Sequence, residues 1–341
     1  MPGQVVTFGE VLLRLTTPRH ERLVQARQFD VIYGGTECNV AVALAQWGVE
    51  ASHVTAVPDN DVGQACINYI RQFGVDTSFV QKRPGRQGLY FLEMGASVRA
   101  SKVIYDRAGS SFAGLRPGVF NWKDIFRGRN WFHFTGISAA VSDGAAAVCH
   151  EAAVAAQAQG LTVSCDLNYR SALWTPERAR LVMKPLMKNV DVLLGGREDA
   201  DKMLGVAAPS TQGVSGLDYA STEQLALKLR DEFNFRRVAL TMRAGESADE
   251  NDVSAVYFDG GKAAHGRKIV LKGMVDRVGG GDAFAAGIIF GGLQGWDSSK
   301  MLDFAVASGA IKHTVHGDFQ VASVAEIEAL AAGGTAGRVQ R

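Results

Sequence analysis

Residues 274–293 read MVDRVGGGDAFAAGIIFGGL, a glycine-rich turn followed by a small, apolar run. Three consecutive glycines, Gly279, Gly280 and Gly281, allow several backbone N–H groups to converge on one point. The small and apolar residues after Asp282 predict a buried helix that begins near this aspartate. Unpaired N–H groups and the dipole at a helix N-terminus favour negative charge. The stretch therefore predicts an anion site with a carboxylate beside it.

Asp282 is informative because a carboxylate repels the anion that such a site attracts. Its position is explained if the acid removes a proton from the group that attacks the bound anion. An ordinary helix N-cap after a glycine turn is the alternative interpretation. This stretch alone does not separate the two.

The bulk composition is that of an ordinary enzyme. The chain has 341 residues, 47% hydrophobic and 21% charged, with a formal net charge of +1. The length accommodates one large α/β domain or two modest ones. Balanced charge gives no indication of a nucleic-acid partner, and no apolar run is long enough to span a membrane. Four scattered cysteines and an N-terminus without an apolar leader make the cytoplasm the expected location.

Strand-like and helix-like segments alternate along most of the chain. The segment VVTFGEVLLRL (5–15) reads as a strand, NVAVALAQWG (39–48) as a helix and RRVALTM (236–242) as a late strand. Alternation of this kind, with apolar strands, predicts a mostly parallel central sheet flanked by helices on both faces.

Two segments break this alternation and predict a second, smaller sheet. Residues 11–33 and 87–107 read as meandering strands with one wet face and many exposed arginines, which is typical of antiparallel strands. We expect them to pair as a discontinuous β lid that excludes water from a reacting phosphate. The rest of the chain is expected to form an α/β core and a mobile tail, at residues 1–10, 34–86 and 108–330 and at residues 331–341 respectively.

A second glycine-rich stretch lies near the N-terminus. YGGTECNVAVALAQWG (33–48) places Gly34 and Gly35 before Asn39, whose amide suits a sugar hydroxyl. A tight strand-to-helix turn capped by Asn39 explains these residues equally well. Together with the D-x-x-G-x-G-D pattern of residues 276–282, the stretch resembles the ribokinase-like carbohydrate kinases, or PfkB family. The resemblance covers the chain from end to end and implies a ribokinase-like fold, ATP and Mg²⁺ as cofactors, and phosphoryl transfer to a sugar.

The resemblance assigns roles to the glycine-rich motif. Asp282 would be the base that removes the proton from the sugar hydroxyl. The N–H groups of Gly279, Gly280 and Gly281 would hold the migrating phosphoryl group. Chemistry of this kind needs positioning and charge stabilisation more than covalent help.

The arginines predict an acidic acceptor. Tyr105 and Arg107 fall on one side of a lid strand, and Arg170 closes the segment DLNYR. Two arginines suit a carboxylate, which a guanidinium binds in a bidentate manner; a solvated strand edge would explain each of them singly. Tyr-x-Arg, Asp-x-Asn-x-Arg and KHTVHGDF (312–319) resemble one branch of the family, the 2-keto-3-deoxygluconate kinases. With Asn39 included, the implied acceptor site consists of Gly34, Gly35, Asn39, Tyr90, Tyr105, Arg107, Arg170 and Asp318.

The same resemblance implies a nucleotide site in the second half of the chain. ALTMRAGES (239–247) is the expected loop over the ATP phosphates and ribose. The implied nucleotide-contacting residues are Asn168, Thr241, Arg243, Gly245, Glu246, Gly279 and Gly281. Most relatives carry N-x-x-E at the position of residues 196–199, but Gly196 stands here in place of the asparagine. Asp199, or alternatively Glu198, is then expected to hold the metal indirectly, through water. Activation by a monovalent cation such as K⁺ stays open.

Together with these residues, the resemblance implies an ATP-dependent kinase that phosphorylates the terminal hydroxyl of 2-keto-3-deoxygluconate to give 2-keto-3-deoxy-6-phosphogluconate. Fructokinase, ribokinase and other sugar-acid kinases stay open, as does a sensor that binds sugar acid and nucleotide without turnover. A dinucleotide-binding dehydrogenase is disfavoured, because its glycine-rich fingerprint would follow the first strand. The relatives also imply a homo-oligomer formed through apolar residues of the lid.

Overall fold

The computed structural model describes residues 3–209, 217–245 and 250–334. Its strands, numbered in chain order, are β1 (Gln4–Phe8), β2 (Leu12–Thr16), β3 (Asp30–Gly34), β4 (Glu50–Val54), β5 (Ala56–Pro58), β6 (Gln81–Arg83), β7 (Leu89–Glu93), β8 (Lys102–Asp106), β9 (Trp131–Thr135), β10 (Thr162–Asp166), β11 (Val192–Gly196), β12 (Arg237–Ala244), β13 (Glu250–Phe258), β14 (Ala264–His265) and β15 (Ile269–Lys272). Its helices are α1 (Thr36–Gln46), α2 (Asp61–Arg71), α3 (Trp122–Ile125), α4 (Gly136–Ala140), α5 (Asp143–Ala158), α6 (Pro176–Met187), α7 (Arg197–Asp199), a π-helical turn (Ala200–Leu204), α8 (Tyr219–Phe233), α9 (Gly280–Leu293), α10 (Ser298–Lys312) and α11 (Val324–Ala331).

Within these ranges the main sheet has nine strands. Eight follow the order β14-β13-β12-β11-β10-β9-β1-β4, and β15 also pairs with β13. All neighbours from β12 to β4 are parallel, whereas β13 runs antiparallel to β12, β14 and β15. The prediction of a mostly parallel central sheet is confirmed.

Alternate side chains of the central strands enter two separate hydrophobic cores. Phe132 of β9 and Leu193 of β11 belong to the core that includes apolar residues of α5, α6 and α8. Their neighbours Trp131 and Leu194 belong to the core that includes residues of α1, α2, α9 and α10. A parallel sheet buried on both faces requires helices on both, and this layering confirms the predicted α/β class.

A smaller sheet has the strand order β3-β2-β7-β8. The β2–β3 and β7–β8 pairs are antiparallel, and the central β2–β7 pair is parallel. The four strands come from the two segments for which the sequence predicts a lid. The division of the chain into a core and a lid stays a prediction.

The expected single strand over residues 5–15 is wrong, because the structure divides it into β1 and β2. These two strands lie in different sheets. Gly9 lies at the break, where a Cβ atom would come within 2.0 Å of the Glu37 carboxylate. The chain therefore passes from the main sheet to the small sheet at a point where a side chain would collide with a buried acid.

Several helices begin with a side chain that accepts their free N–H groups. Asn60 does so for α2, Ser142 for α5 and Asp297 for α10. In contrast, α9 begins after Gly279, whose φ of 86° is left-handed, and no side chain caps it. The N–H groups at the start of α9 are thus available to a ligand.

Some expectations concern segments that lie partly outside the described residues. Of the expected tail, residues 331–334 are described, and α11 ends at Ala331. Glu246 of the expected nucleotide loop lies outside the described residues. Among the described residues, none of the helices combines the length and the apolar character that crossing a membrane requires.

Candidate active site

A cleft of about 750 Å³ lies between the carboxyl ends of the main-sheet strands and the small sheet. Open parallel sheets place ligands at this edge. The cleft brings together most of the residues predicted from sequence, namely Gly34, Gly35, Asn39, Tyr90, Tyr105, Arg107, Asn168, Arg170, Asp199, Thr241, Arg243, Gly279, Gly281, Asp282 and Asp318. Gly245 and Gly280 are not among the lining residues.

The three glycines of residues 279–281, which we call the anion loop, differ in what surrounds them. A Cβ atom on Gly279 would lie 2.0 Å from the Asp318 carbonyl oxygen, and one on Gly280 would lie 2.3 Å from Cε1 of His313. A Cβ atom on Gly281 would meet nothing within 4 Å. The first two glycines are therefore required by close packing, whereas Gly281 leaves space open toward the cleft.

Asp282 lies in the first turn of α9 and is buried, with 5% of its surface exposed. Its Oδ2 accepts a hydrogen bond of 2.6 Å from Nδ2 of Asn39. Burial raises the pKa of Asp282 to about 7, the Asn39 hydrogen bond opposes this shift, and the Glu37 carboxylate adds to it. A carboxylate with a pKa near neutrality is suited to accepting a proton at physiological pH.

Asn39 is held in place by the second glycine-rich stretch. Its Oδ1 accepts from the backbone N–H of Gly35 at 3.2 Å while its Nδ2 donates to Asp282. A Cβ atom on Gly35 would lie 2.1 Å from the backbone oxygen of Glu10. The stretch thus orients the candidate base, and the predicted contact of Asn39 with a substrate hydroxyl stays a prediction.

Two further carboxylates face the cleft near Asp282. Burial, followed by the neighbouring charges of Asp199 and Asp282, raises the pKa of Asp166 to about 8. Asp199 accepts backbone N–H groups from Tyr169 at 2.9 Å and Gly196 at 2.7 Å, and burial raises its pKa as well. A cation in this part of the cleft would relieve the repulsion among the acids.

Three arginines give the same end of the cleft positive charge. Arg170, Arg243 and Arg277 all line it. Desolvation in the cleft, followed by the charges of Arg277 and Arg170, lowers the pKa of Arg243. Guanidinium groups that converge beside an open helix N-terminus are suited to anionic ligands, both phosphates and a carboxylate.

A buried ionic network ties the small sheet to the anion loop. Arg14 of β2 makes ion pairs of 2.6 Å with both Asp276 and Asp318, and its side chain has no exposed surface. The second oxygen of Asp318 accepts from the Tyr90 hydroxyl at 2.7 Å. A Cβ atom on Gly34 would lie 2.2 Å from that oxygen. Arg14 is therefore buried, although the sequence predicts exposed arginines in this segment, because two distant carboxylates neutralise it.

Arg107 is likewise buried and paired. Its Nε and Nη2 both donate to Oε2 of Glu10, at 2.7 and 2.5 Å, and the hydroxyl of Ser110 donates to the other Glu10 oxygen. Its guanidinium carbon lies 5.8 Å from the centre of the Tyr105 ring. Glu10 thus fixes the orientation of Arg107 in the cleft wall.

Some of these residues were not identified from sequence as site residues. They are Glu10, Arg14, Glu37, Asp166, Asp276 and Arg277, all of which except Arg14 line the cleft. Asp276 and Arg277 belong to the glycine-rich motif itself, so the motif carried a signal for them. Glu10 and Arg14 have no local signal, because their partners are far away in the chain.

The charged side chains of the cleft suit a nucleoside triphosphate bound together with a divalent ion better than a metal ion held by the protein alone. Within the part of the chain that the structure describes, no group of three or more His, Cys, Asp or Glu side chains could hold a metal ion. Mg²⁺ commonly takes one or two carboxylates and completes its shell with phosphates and water. Asp166 and Asp199 supply that number of carboxylates beside the three arginines.

Known proteins resemble this chain over nearly its whole length. The family model described as pfkB family carbohydrate kinase matches residues 3–322. A 2-dehydro-3-deoxygalactonokinase from Haloferax volcanii is 33% identical, with 99% of each chain covered. A 2-dehydro-3-deoxygluconokinase from Thermoproteus tenax is 29% identical, covering 92% of this chain and 89% of its own.

Solved structures show the same relationship. The crystal structure of 2-dehydro-3-deoxygluconokinase from Thermotoga maritima superimposes with a TM-score of 0.93 at 43% identity, covering 97% of this chain and 100% of that one. This likeness confirms the predicted ribokinase-like fold. With the family model matching almost the entire chain and the candidate base lying beside an anion loop, the chain belongs to the pfkB family of carbohydrate kinases.

Proposed function

We propose that this sugar kinase transfers the γ-phosphoryl group of ATP to the terminal hydroxyl of 2-keto-3-deoxygluconate, giving 2-keto-3-deoxy-6-phosphogluconate. We infer the acceptor from the presence of Arg107 and Arg170 in the cleft that contains Asp282. A neutral sugar needs neither guanidinium, whereas the carboxylate of a sugar acid would pair with Arg170 and with the part of the Arg107 guanidinium that does not contact Glu10. The names of the relatives from Thermoproteus tenax and Thermotoga maritima support the same acceptor.

In this proposal Asp282 removes the proton from the terminal hydroxyl. Its pKa of about 7 leaves it substantially ionised at neutral pH, yet basic enough to accept the proton as the new bond forms. The Asn39 amide holds one carboxylate oxygen, so the other is directed to the substrate. Asp282 therefore acts as the general base.

The phosphoryl group is held by the start of α9. Kinases of this family use ATP and Mg²⁺, which when bound supply the phosphoryl group and a divalent charge. The N–H groups of the anion loop and the guanidinium groups of Arg243 and Arg277 stabilise the charge on the migrating group. Asn168 and Thr241 border the same part of the cleft. We assign Asp166 and Asp199 to the metal, Asp199 through water because both of its oxygens already accept backbone N–H groups.

The acceptor is held from the small sheet and from the end of β10. Arg107, oriented by Glu10, and Arg170 bind the carboxylate, while Tyr105 covers the sugar. Asp318 and Tyr90 present a hydrogen-bonded pair to the hydroxyl groups beside Gly34. The small sheet thereby excludes water from the reacting centre.

The galactonate-derived epimer is the second candidate acceptor, because the relative from Haloferax volcanii is named for it. The two acids differ in the orientation of one hydroxyl group and share the carboxylate. The same arginines would therefore bind both, and the hydroxyl-binding residues would decide between them.

A coupled ADP-release assay with Mg²⁺ and ATP tests the acceptor. We expect turnover on 2-keto-3-deoxygluconate to exceed that on its epimer, fructose, ribose and gluconate. Arg107→Met and Arg170→Met should each raise KM for the acid by about 10- to 100-fold, the loss of a charge-assisted hydrogen bond. Arg178→Met is the matched control, since Arg178 pairs with Asp143 on the surface. Preferred turnover on a neutral sugar, unaffected by the two variants, would remove the carboxylate role of the arginines.

We also propose that the enzyme is a homo-oligomer that associates through the small sheet. Strand β8 lies at the edge of that sheet, and all five of its residues are exposed. Val103 and Ile104 present apolar side chains there, a composition that favours pairing with another strand edge. Light scattering after size-exclusion chromatography should show a larger species for the wild type than for Val103→Lys/Ile104→Lys; a monomeric wild type would contradict it.

A further inference from the structure

Lys312 is a buried cation that no step described above uses. It is the last residue of α10, and its relative exposed surface is 0%. Its Nζ donates to the backbone carbonyl of Val315 at 3.0 Å. Burying an ammonium group is costly unless opposite charges lie nearby, so the surroundings of Lys312 must compensate its charge.

Two carboxylates provide this compensation. Asp276 and Asp318 both attract the Lys312 ammonium and oppose the fall in its pKa that burial causes. Each of them also pairs with Arg14 at 2.6 Å. Lys312 adds a second cation near the two ion pairs of Arg14, so this buried charge network contains two cations and two anions. Removing Lys312 would leave this network with a net charge of −1.

The network lies directly beneath the anion loop. A Cβ atom on Gly279 would lie 3.2 Å from Cε of Lys312. The neighbouring His313 packs under Gly280, and its carbonyl accepts N–H groups from Val275 and Asp276 at 2.8 and 3.2 Å. The end of α10 therefore supports the loop that holds the phosphoryl group, and an uncompensated negative charge here would repel that group at short range.

We propose that Lys312 is a positioning residue for phosphoryl transfer, an internal cation beneath the anion loop that makes turnover independent of monovalent cations in solution. Its charge acts through a buried medium, where electrostatic interactions are strong, and costs no reorganisation during the reaction. The inference rests on the kinase activity that the family shows and on no particular acceptor.

The experiment measures kcat and KM for wild type, Lys312→Ala and Lys312→Met in K⁺, NH₄⁺ or tetramethylammonium buffers, with the best acceptor of the panel. We expect wild-type kcat to differ by less than about twofold among the three cations, because the charge is internal. For Lys312→Ala we expect kcat to fall at least about tenfold, with KM for the acceptor little changed. NH₄⁺ and K⁺ are smaller than tetramethylammonium, so they should enter the space left by the side chain and restore part of kcat in a saturable manner, whereas tetramethylammonium should not.

Two variants separate charge from packing. Lys312→Met fills the space without the charge, so it should be as slow as Lys312→Ala in tetramethylammonium and gain nothing from NH₄⁺. Lys300→Met, on the exposed start of the same helix, pairs with Glu328 in the wild type and should change nothing. Thermal unfolding verifies that each variant is folded at the assay temperature.

Three results would overturn the proposal. They are a wild-type enzyme that loses most of its activity in tetramethylammonium, a Lys312→Met variant as fast as wild type, and a folded Lys312→Ala variant that neither ion restores. If Lys312→Ala is unfolded, the activity of Lys312→Met and the cation dependence of the wild type still test the proposal. Turnover on an unexpected sugar would refute only the proposed acceptor. The Lys312 proposal would still be tested, because the experiment uses whichever sugar the enzyme phosphorylates best.

Discussion

Two helices that pack together near the C-terminus, α9 and α10, begin in opposite ways. At the start of α10 the Asp297 carboxylate accepts the N–H groups of Ser299 and Lys300, both at 3.0 Å. At the start of α9 the backbone turns through Gly279 and no side chain caps the helix. A helix N-terminus can therefore use its amides for its own stability or leave them to a ligand. Substitutions at the two ends should therefore affect stability and activity separately.

At the uncapped start of α9, Asp282→Asn should have the largest effect on activity. Without a base kcat should fall by about 10³-fold or more, the upper range for general base catalysis. The folded pKa of Asp282 is near 7 and the unfolded value near 4, so ionisation destabilises the fold as pH rises between these values. The variant should therefore unfold at the same or a higher temperature than wild type at pH 8. Activity within tenfold of wild type would assign proton removal to another group.

Gly279→Ala should damage both properties. Its left-handed φ of 86° disfavours a side chain by about 1–2 kcal/mol, and the new Cβ atom would collide with the Asp318 carbonyl. We expect a lower melting temperature and a kcat reduced by about 10- to 100-fold, because the loop amides are displaced. A variant with normal stability and activity would show that the loop can rearrange freely.

Gly281→Ala should separate the two properties. Alanine stabilises a helix by up to about 1 kcal/mol relative to glycine, and its Cβ atom meets nothing in the fold. The added methyl group would lie in the space that the phosphoryl group needs, so we expect equal or greater thermal stability together with about tenfold lower kcat. Full activity would place the phosphoryl group elsewhere along the loop.

The pH dependence of kcat/KM should report the ionisation of Asp282 at the start of α9. We expect an acidic limb with a midpoint near pH 7, because Asp282 must be ionised and burial raises its pKa to about 7. Asn39→Ala removes the hydrogen bond that opposes this shift, so its limb should move to higher pH. A limb near pH 4 in the wild type, or no displacement in the variant, would contradict the assignment.

Asp297→Ala should have the smallest effect on activity, because it removes the N-cap of α10 and leaves the start of α9 intact. Loss of an N-cap carboxylate costs about 1 kcal/mol of unfolding free energy, which denaturant unfolding would detect. We expect kcat and KM to stay at wild-type values, since Asp297 is not among the cleft-lining residues. A change in kcat would mean that the start of α10 is coupled to the anion loop.

Features that depend on neighbouring residues are predictable from the sequence of this chain, whereas contacts between distant residues are not. The glycines and Asp282 form a local pattern, so the helix start and its carboxylate were predictable, as was the alternation that builds the main sheet. The alternating pattern predicts an exposed Arg14, because an arginine in such a strand usually lies on the solvent face. Its burial depends on Asp276 and Asp318, which lie 262 and 304 residues away. Glu10 depends in the same way on Arg107, which lies 97 residues away and which no local pattern reveals.

The buried cysteines make the chain its own reporter of unfolding. All four are free thiols, and burial raises the pKa of each, so little reactive thiolate exists in the folded protein. Two of them, Cys38 and Cys66, lie in one core, and Cys149 and Cys165 lie in the other. Alkylation followed by mass spectrometry would therefore show which layer of the molecule opens first in denaturant, without any introduced label.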